Sequence, residues 1–205
     1  IPHRLTQDPE FVIFKQRNNQ DDWRVFHKDL DPDETQDYYL ILQSTNGKSA
    51  DQNQSFMNRV PPTGPVIHLG TDSAINGSST TMVAYSWHSV PGLQKFGTFA
   101  GNSNADGTFV ELGFRPALLW VKRTDSTGNW VILDTKRNPT NPVKKSLYAD
   151  SSDNEYTPGQ NWADILSNGF KIRATYGEVN VGTYVYCAWA EAPSIDLFGG
   201  GANAR

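Results

Sequence analysis

Four carboxylates lie close together in the second half of the chain: Asp150, Asp153, Glu155 and Asp164. Two carboxylic acids at a fixed separation can hydrolyse a glycosidic bond. One of them must then act as a general acid, which requires a raised pKa and therefore a dry environment. The neighbouring Ser-Ser-Asp-Asn-Glu run is very polar. The pattern therefore favours solvated carboxylates, and glycoside hydrolysis is the less favoured alternative.

All four histidines fall in the first half of the chain: His3, His27, His68 and His88. A catalytic histidine would be expected beside a nucleophile or metal motif, such as G-x-S-x-G or H-E-x-x-H. The sequence contains neither of these motifs and no phosphate-binding loop. We therefore predict structural histidines and a protein that is not an enzyme.

Two segments offer alternating oxygen ligands of the kind that calcium accepts, Asn102–Gly107 and Asp29–Asp33. Neither has the spacing and the distal Glu of an EF-hand loop, so polar turns are the favoured interpretation. The single cysteine, Cys187, excludes an internal disulfide and a cysteine-based zinc site. Its apolar neighbours predict a buried side chain. We expect no metal and no cofactor.

Trp162 lies in a long polar loop after Pro158-Gly159. An exposed indole can stack on the apolar face of a sugar while Asn and Asp side chains bind the hydroxyl groups. Trp162, Tyr156, Asn161 and Asp153 therefore form the candidate ligand-binding patch. In the alternative interpretation, which is the favoured one at this point, Trp162 is a plug that closes the bottom of the fold.

The chain contains an internal repeat. Pro9–His27 aligns without a gap with Pro116–Asp134, and a stretch beginning at Met82 matches one beginning at Tyr184. Duplicated units usually pack as similar blocks, because neither can bury its apolar face alone. We assign five tryptophans to the core, four of them at matching positions in the two copies: Trp23 with Trp130, Trp87 with Trp189, and the additional Trp120.

Short apolar and aromatic runs alternate with Gly, Asn, Asp, Ser and Pro clusters, a pattern typical of an antiparallel sandwich or barrel. We predict an all-β fold, an antiparallel β-sandwich of jelly-roll or lectin-like type. Its parts are a first repeat (1–93), a second repeat (94–194) and a Gly-rich tail (195–205). One short helix is expected over Asn161–Ser167, with Asn161 as N-cap and Asn168-Gly169 as its stop. The expected strands are Glu10–Lys15, Trp23–Lys28, Asp37–Gln43, Val66–Leu69, Thr81–His88, Lys95–Ala100, Thr108–Leu112, Leu118–Lys122, Asn129–Asp134, Ser146–Ala149, Phe170–Arg173 and Thr183–Ala190.

Composition excludes several classes of protein. Hydrophobic residues make up 37% of the 205 positions, with six Trp, which excludes a disordered chain. The net charge of −4 and the lack of a Lys/Arg stripe argue against nucleic-acid binding. No apolar run approaches the ~18 residues of a membrane helix, so we expect no membrane insertion. Residue 1 is Ile, and we expect the chain to be the C-terminal piece of a longer polypeptide.

Seven segments carry a resemblance to a known family: Lys95–Asn102, Asp106–Val110, Gly113–Pro116, Asn129–Asp134, Arg137–Pro139, Ile165–Arg173 and Tyr184–Pro193. They resemble a domain found in duplicate at the C-terminal end of phage tail proteins, including those of marine and cyanobacterial phages. The resemblance spans nearly the whole chain, and the second copy fits better than the first. It implies a virion component assembled in the host cytoplasm, and no catalytic residue set accompanies it.

The resemblance implies the C-terminal domain of a tail fibre or another host-contacting appendage. We expect such a domain to bind a host-surface glycan through weak contacts that add up by multivalency. Its expected partners are other virion proteins and further copies of itself, as a trimer, because tail appendages are commonly trimeric. Two alternatives remain open: a polysaccharide-degrading tail enzyme, and a purely architectural capsid or tail fibre.

Overall fold

The chain divides into two compact units, the first covering Ile1–His88 and the second beginning at Ser89. The structure, a computed structural model, describes residues 1–31, 33, 37–51, 53, 55–157, 159 and 161–191. The strand pairings within these ranges are all antiparallel, and the predicted all-β fold is confirmed. The Gly-rich tail (195–205) lies outside the described residues.

The first unit is one sheet with a short helix, and its elements are β1 (Phe11–Gln16), β2 (Arg24–His27), β3 (Tyr38–Ile41), β4 (Ser49–Ala50), α1 (Ser73–Asn76) and β5 (Met82–Trp87). The five strands are ordered β4-β3-β2-β1-β5. Val12 and Phe14 share one face of the central strand β1, because side chains alternate along a strand. They pack in a buried cluster with Phe56, Met57 and Ile75, which come from the connections between strands and from α1.

The second unit is a sandwich of two sheets built from β6 (Gln94–Ala100), β7 (Phe109–Glu111), β8 (Pro116–Arg123), β9 (Trp130–Asp134), β10 (Leu147–Tyr148), β11 (Ala163–Leu166), β12 (Gly169–Ile172) and β13 (Thr183–Ala190). The larger sheet is ordered β10-β9-β8-β13-β6 and the smaller β11-β12-β7. Between them lies one core, to which Val121, Leu133 and Tyr186 contribute from the larger sheet and Phe170 and Ile172 from the smaller.

The aligned strands of the two units pair in the same register. In the first unit Phe11 of β1 lies opposite His27 on one side and Trp87 on the other. In the second unit the aligned residues make the same two pairings, Leu118 with Asp134 and Leu118 with Trp189. The interior strands β1 and β8 therefore pair with their two neighbouring strands in the same way.

The helix expected over Asn161–Ser167 is wrong, because this segment forms the strand β11. Ala163 and Ile165 are buried and alternate with Asp164, which is only half-buried, and this period of two is that of a strand. Leu166 pairs with Gly169, so the turn read as a helix stop is a two-residue hairpin between β11 and β12.

Other expectations also need correction. Val66–Leu69 forms no strand: Val66 makes only isolated bridges, in a segment with prolines that cannot donate to a ladder. The helix α1, which was not expected, is capped by Asp72, whose Oδ1 accepts the Ala74 N–H at 2.9 Å. β6 and β7 pair with β13 and β12, inside the second unit. Among the described residues, no helix is long and apolar enough to cross a membrane.

The assignment of five tryptophans to the core is only partly right. Trp130 is 1% exposed, whereas the other four are half-buried: Trp23, Trp87, Trp120 and Trp189. Trp120 lies edge-on to the Trp130 ring at 6.4 Å between ring centroids. Matching sequence positions in the two copies therefore do not imply equal burial.

At one end of the second unit, the buried side chain of Asn180 joins neighbouring loops by hydrogen bonds. Its Nδ2 donates to the carbonyl oxygens of Asn104 and Ala174, and its Oδ1 accepts the Asn102 N–H at 2.9 Å. A Cβ atom at Gly101 would collide with the Asn180 backbone, so glycine is required for this close approach. The loops before β7 and before β13 are thus held together.

The core of the second unit provides a direct test of the fold. Phe170 is fully buried against the rings of Phe99 and Tyr186, while Phe109 on the adjacent strand is 43% exposed. We expect Phe170→Ala to lower the free energy of unfolding by about 3–5 kcal/mol. The matched control Phe109→Ala should change it by less than about 1 kcal/mol. Urea unfolding measures both, and equal losses would contradict the described core.

Candidate ligand-binding site

The candidate patch around Trp162 does not form an open aromatic site. Trp162 is 0% exposed and belongs to the core of the second unit. Its backbone N–H donates to the Val143 carbonyl oxygen at 2.8 Å, which extends the pairing beside β11. The expectation of an exposed stacking ring is therefore wrong, and the plug interpretation describes Trp162. The patch loses the indole on which it depended.

The other three residues of that patch are distributed over the surface of the second unit. Tyr156 is 45% exposed and contacts the buried Trp162 ring edge-on at 6.2 Å between centroids. Asp153 is exposed. Asn161 lines a separate cleft of about 370 Å³, together with Asp164 and Arg173.

Three of the four clustered carboxylates, those of Asp150, Glu155 and Asp164, are engaged with different partners. Glu155 forms ion pairs with Arg137 at 2.8 Å and with Lys145 at 2.9 Å. The hydrogen bond from Arg137 is the main cause that lowers the pKa of Glu155, and a general acid needs the opposite shift. Asp164 is held by Arg173 at 2.7 Å, and Asp150 accepts the Trp130 N–H at 2.7 Å.

In the first of the two segments considered for calcium, Asn102–Gly107, the carboxylate is paired with cations of the protein. The Asp106 carboxylate forms ion pairs with Lys171 at 2.5 Å and with Arg173 at 3.7 Å, and the hydrogen bond from Lys171 lowers its pKa. Asn102 and Asn104 accept N–H groups within the loop, as polar turn residues do. The described part of the chain contains no group of three or more His, Cys, Asp or Glu side chains placed to hold a metal ion.

The four histidines of the first unit differ in burial and in their contacts. His27 is buried and its Nδ1 accepts the Asp29 N–H at 3.2 Å. His88 is nearly buried and its Nε2 lies 3.4 Å from the Thr6 hydroxyl. His3 bonds the Gly64 carbonyl oxygen, and His68 is exposed.

An open cleft of the first unit brings an aromatic ring together with several polar side chains. Its volume is about 480 Å³, and it lies where the β1–β2 hairpin loop meets the end of β3. Trp23, which directly precedes β2, is half-buried here. The lining residues share an indole, carboxylates, amides and one ammonium group: Trp23, Asp21, Asp22, Gln20, Gln43 and Lys15. We call this the Trp23 cleft.

The backbone of Trp23 is fixed on both sides. Its N–H donates to Gln43 Oε1 at 2.9 Å, and its carbonyl oxygen accepts the Leu42 N–H at 3.0 Å. Gln43 Nε2 in turn donates to Asp22 Oδ1 at 2.5 Å. The Lys15 ammonium lies 5.9 Å from the centroid of the indole, within the range of a cation–π contact. The ring is therefore held in a defined place beside its polar neighbours.

The aligned residues of the second unit make the same bonds in a buried setting. Lys15 donates to the Asp21 carbonyl oxygen at 2.6 Å, and Lys122 donates to that of Gly128, also at 2.6 Å. Lys122 and Trp130 are nevertheless almost completely buried. This lysine and this tryptophan are thus partly exposed in the first unit and buried in the second.

Trp23 was not predicted at the surface, because its alignment with Trp130 assigned it to the core. A signal was present. Trp23 follows the polar run Arg17–Asp22 and is followed by Arg24, whereas Trp130 is followed by three apolar residues. The neighbours of Trp23 therefore indicated the surface.

A family model for a domain of unknown function, DUF7483, matches residues 1–193. The chain belongs to this family. The match covers both units, from the start of the first through the end of β13. No curated protein and no solved structure matches the chain.

The buried lysine of the second unit generates a prediction about pH. Burial lowers the pKa of Lys122 to about 8 from 10.5, although the charge of Asp150 acts in the opposite direction. Between these two values the unfolded chain binds more protons than the folded one, so this residue makes stability rise with pH across that window. We expect Lys122→Met to be more stable than the parent at pH 7, by at most about 3 kcal/mol.

This advantage should shrink as the pH rises through about 8 and should be lost above about pH 10.5. Urea unfolding over this range measures it, with Lys144→Met, at an exposed position, as the matched loss of an ammonium group. A stability difference between Lys122→Met and the parent that stays constant with pH would show that Lys122 is not buried as a charge.

Proposed function

We propose that this chain is a non-enzymatic carbohydrate-binding module, carried on a host-contacting appendage of a phage virion. The observation that carries the proposal is the Trp23 cleft, where a fixed and partly exposed indole stands among carboxylate and amide side chains. The resemblance of seven sequence segments to phage tail proteins supports the place of the module on a virion.

The chemistry of the Trp23 cleft matches that of a sugar ring. A pyranose presents an apolar C–H face, which stacks on an indole, and a rim of hydroxyl groups. Each hydroxyl both donates and accepts, so carboxylates and amides are suitable partners. The Asp22 carboxylate accepts from Gln43, and further lone pairs of its oxygens can accept from a sugar. An open cleft also admits a terminal or internal sugar of a longer chain.

Binding is favoured over hydrolysis by the state of the acidic side chains. Hydrolysis needs one carboxylic acid that stays protonated near neutral pH. In the second unit Glu155 is paired with Arg137 and Lys145, which lowers its pKa. In the Trp23 cleft Asp22 lies 3.7 Å from the Arg24 guanidinium, and Asp21 accepts from Gln16 at 3.2 Å. These contacts hold the two carboxylates in place in the Trp23 cleft, where their remaining lone pairs can accept from sugar hydroxyl groups.

We infer that the two units arose by duplication of one sheet-forming unit. The shared register around β1 and β8 supports this, as does the shared lysine-to-carbonyl hydrogen bond of Lys15 and Lys122. A duplicated frame permits one copy to keep the ancestral packing while the other acquires a ligand site. The Trp23 cleft is then a site gained on a retained scaffold.

A single shallow sugar site binds weakly, and an appendage overcomes this by repetition. Several copies on one particle convert weak contacts into strong attachment, because each later contact is intramolecular. A trimeric appendage would present three such clefts. Loops on a β scaffold suit this role, since their sequence can change without loss of the sheet.

The proposal is tested by displaying the whole chain on beads and measuring its binding to an array of bacterial surface glycans. We expect selective binding to a small group of glycans, weakened at least about tenfold by Trp23→Ala, because the variant loses the stacking surface. Trp23→Phe should restore part of the binding. The matched control Phe109→Ala removes an exposed aromatic ring elsewhere and should leave binding intact.

Circular dichroism and thermal unfolding establish that each variant is folded. Array binding that Trp23→Ala leaves unchanged would refute the Trp23 cleft as the site. Absence of binding by the folded, bead-displayed protein would favour the architectural alternative, and release of reducing sugar from a bound glycan would favour the enzyme.

The virion location has its own test. Antibodies raised against the purified chain should label a tail or surface appendage of intact particles in electron microscopy. Labelling of host material but not of particles would refute this part of the proposal and leave the sugar site unaffected.

A further inference from the structure

A second, larger cleft lies in the first unit, beside the start of β1, the end of β2 and the start of β3. Its volume is about 590 Å³, which is within the range of small-molecule sites. Its lining residues are distinct from those of the Trp23 cleft. We call it the Tyr38 cleft.

Aromatic and proline side chains form part of the wall of the Tyr38 cleft. Phe26 and Tyr38 are both half-buried, and Pro9, Pro61 and Pro62 line the same space. Pro9 and Pro62 are buried. Proline has little side-chain freedom to lose on binding, so these walls are already formed before a ligand arrives.

The charged residues that line the Tyr38 cleft are predominantly acidic. Three carboxylates, of Asp8, Glu10 and Asp31, stand against the single ammonium of Lys28. Lys28 is also the ion-pair partner of Glu10, at 3.3 Å. Asp8 and Asp31 are oriented by backbone N–H groups, from Gly64 at 2.7 Å and from Asp37 at 2.9 Å. The formal charge of the lining favours a cation.

The aromatic rings of this region already contact cations of the chain itself. The Lys48 ammonium lies 4.0 Å from the centroid of Tyr38 and donates to the Leu30 carbonyl oxygen at 2.8 Å. On the neighbouring residue, the Arg24 guanidinium lies 4.3 Å from the centroid of Tyr39. A cation beside an aromatic face with an oxygen acceptor nearby is thus an arrangement that this sheet already stabilises.

We propose that the Tyr38 cleft binds a small organic cation whose positive nitrogen carries apolar substituents, as in a quaternary ammonium compound. The methyl groups of such a ligand fit the aromatic and proline walls. Its charge is attracted by the aromatic faces and by the three carboxylates. Because it uses other residues, this site is independent of sugar binding at the Trp23 cleft.

The experiment titrates the full chain with choline chloride and follows backbone amide signals by NMR. The matched probe is 3,3-dimethylbutan-1-ol, which has the same shape as choline but no charge. We expect saturable shifts at Phe26, Lys28 and Tyr38 with choline, and binding of the neutral probe weaker by about tenfold. Added salt should weaken choline binding, because it screens the carboxylates.

Two variants assign the contributions of ring and charge. Tyr38→Leu removes the aromatic face, and Asp8→Asn removes a charge while keeping an oxygen that can accept the Gly64 N–H. Each should weaken choline binding at least about threefold. Glu111→Gln, at an exposed carboxylate of the second unit, is the control and should have no effect. Thermal unfolding shows whether each variant is folded, and only folded variants are compared.

Equal affinity for choline and its neutral probe would overturn the proposal, since the cleft would then recognise only an apolar shape. Absence of saturable shifts, or shifts confined to residues outside the cleft, would overturn it as well. Loss of sugar binding in Trp23→Ala with choline binding retained would confirm that the two sites are separate.

Discussion

Each unit depends on an interior strand that is hydrogen-bonded along both edges. β1 lies between β2 and β5, and β8 lies between β9 and β13. A slip of such a strand by one residue would break the pairing along both edges and move every side chain to the opposite face of the sheet. Val12 and Phe14 on β1, and Leu119 and Val121 on β8, fix the register by their burial. The positions of the hairpin loops follow from that register.

A lysine of each of these two strands bonds a backbone carbonyl oxygen of the hairpin loop that follows the strand. Lys15 and Lys122 occupy equivalent places and bond the equivalent carbonyl oxygen, yet one ammonium stands beside an open cleft and the other is buried. The cost of burying the second charge is visible in its lowered pKa. The same backbone geometry therefore supports either a core contact or a binding surface, and the side chains around Trp23 and Trp130 decide which.

Most of the strands could be predicted from sequence, because apolar runs bounded by turn residues are a local signal. β8 and β13 are examples. The segment around Ile165 could not be assigned from such a signal, since Asn161 and Asn168-Gly169 fit helix caps as well as a hairpin. What decided between them was the pairing with β12, a contact between strands that no single segment encodes.

The candidate site was harder to predict from the sequence than the strands were. Burial of Trp162 depends on the sheet that covers it, and exposure of Trp23 depends on where the end of β3 meets the hairpin loop. Identical residue types at aligned positions gave the wrong expectation for Trp23. The polar run Arg17–Asp22 before Trp23 was the better guide, because the sequence neighbours of a residue at the surface tend to be polar as well.

The hydrogen bonds of the Asn180 side chain have a consequence for protein engineering. Its three hydrogen bonds and the glycine beside it leave no room for inserted residues at that end of the second unit. The hairpin loop at 17–22 is held by hydrogen bonds near its two ends: Lys15 donates to the Asp21 carbonyl oxygen, and Arg17 and Asn18 bond the segment at 79–81. Libraries with randomised residues should therefore be built on that hairpin, with the Asn180 end kept as the constant foundation of the scaffold.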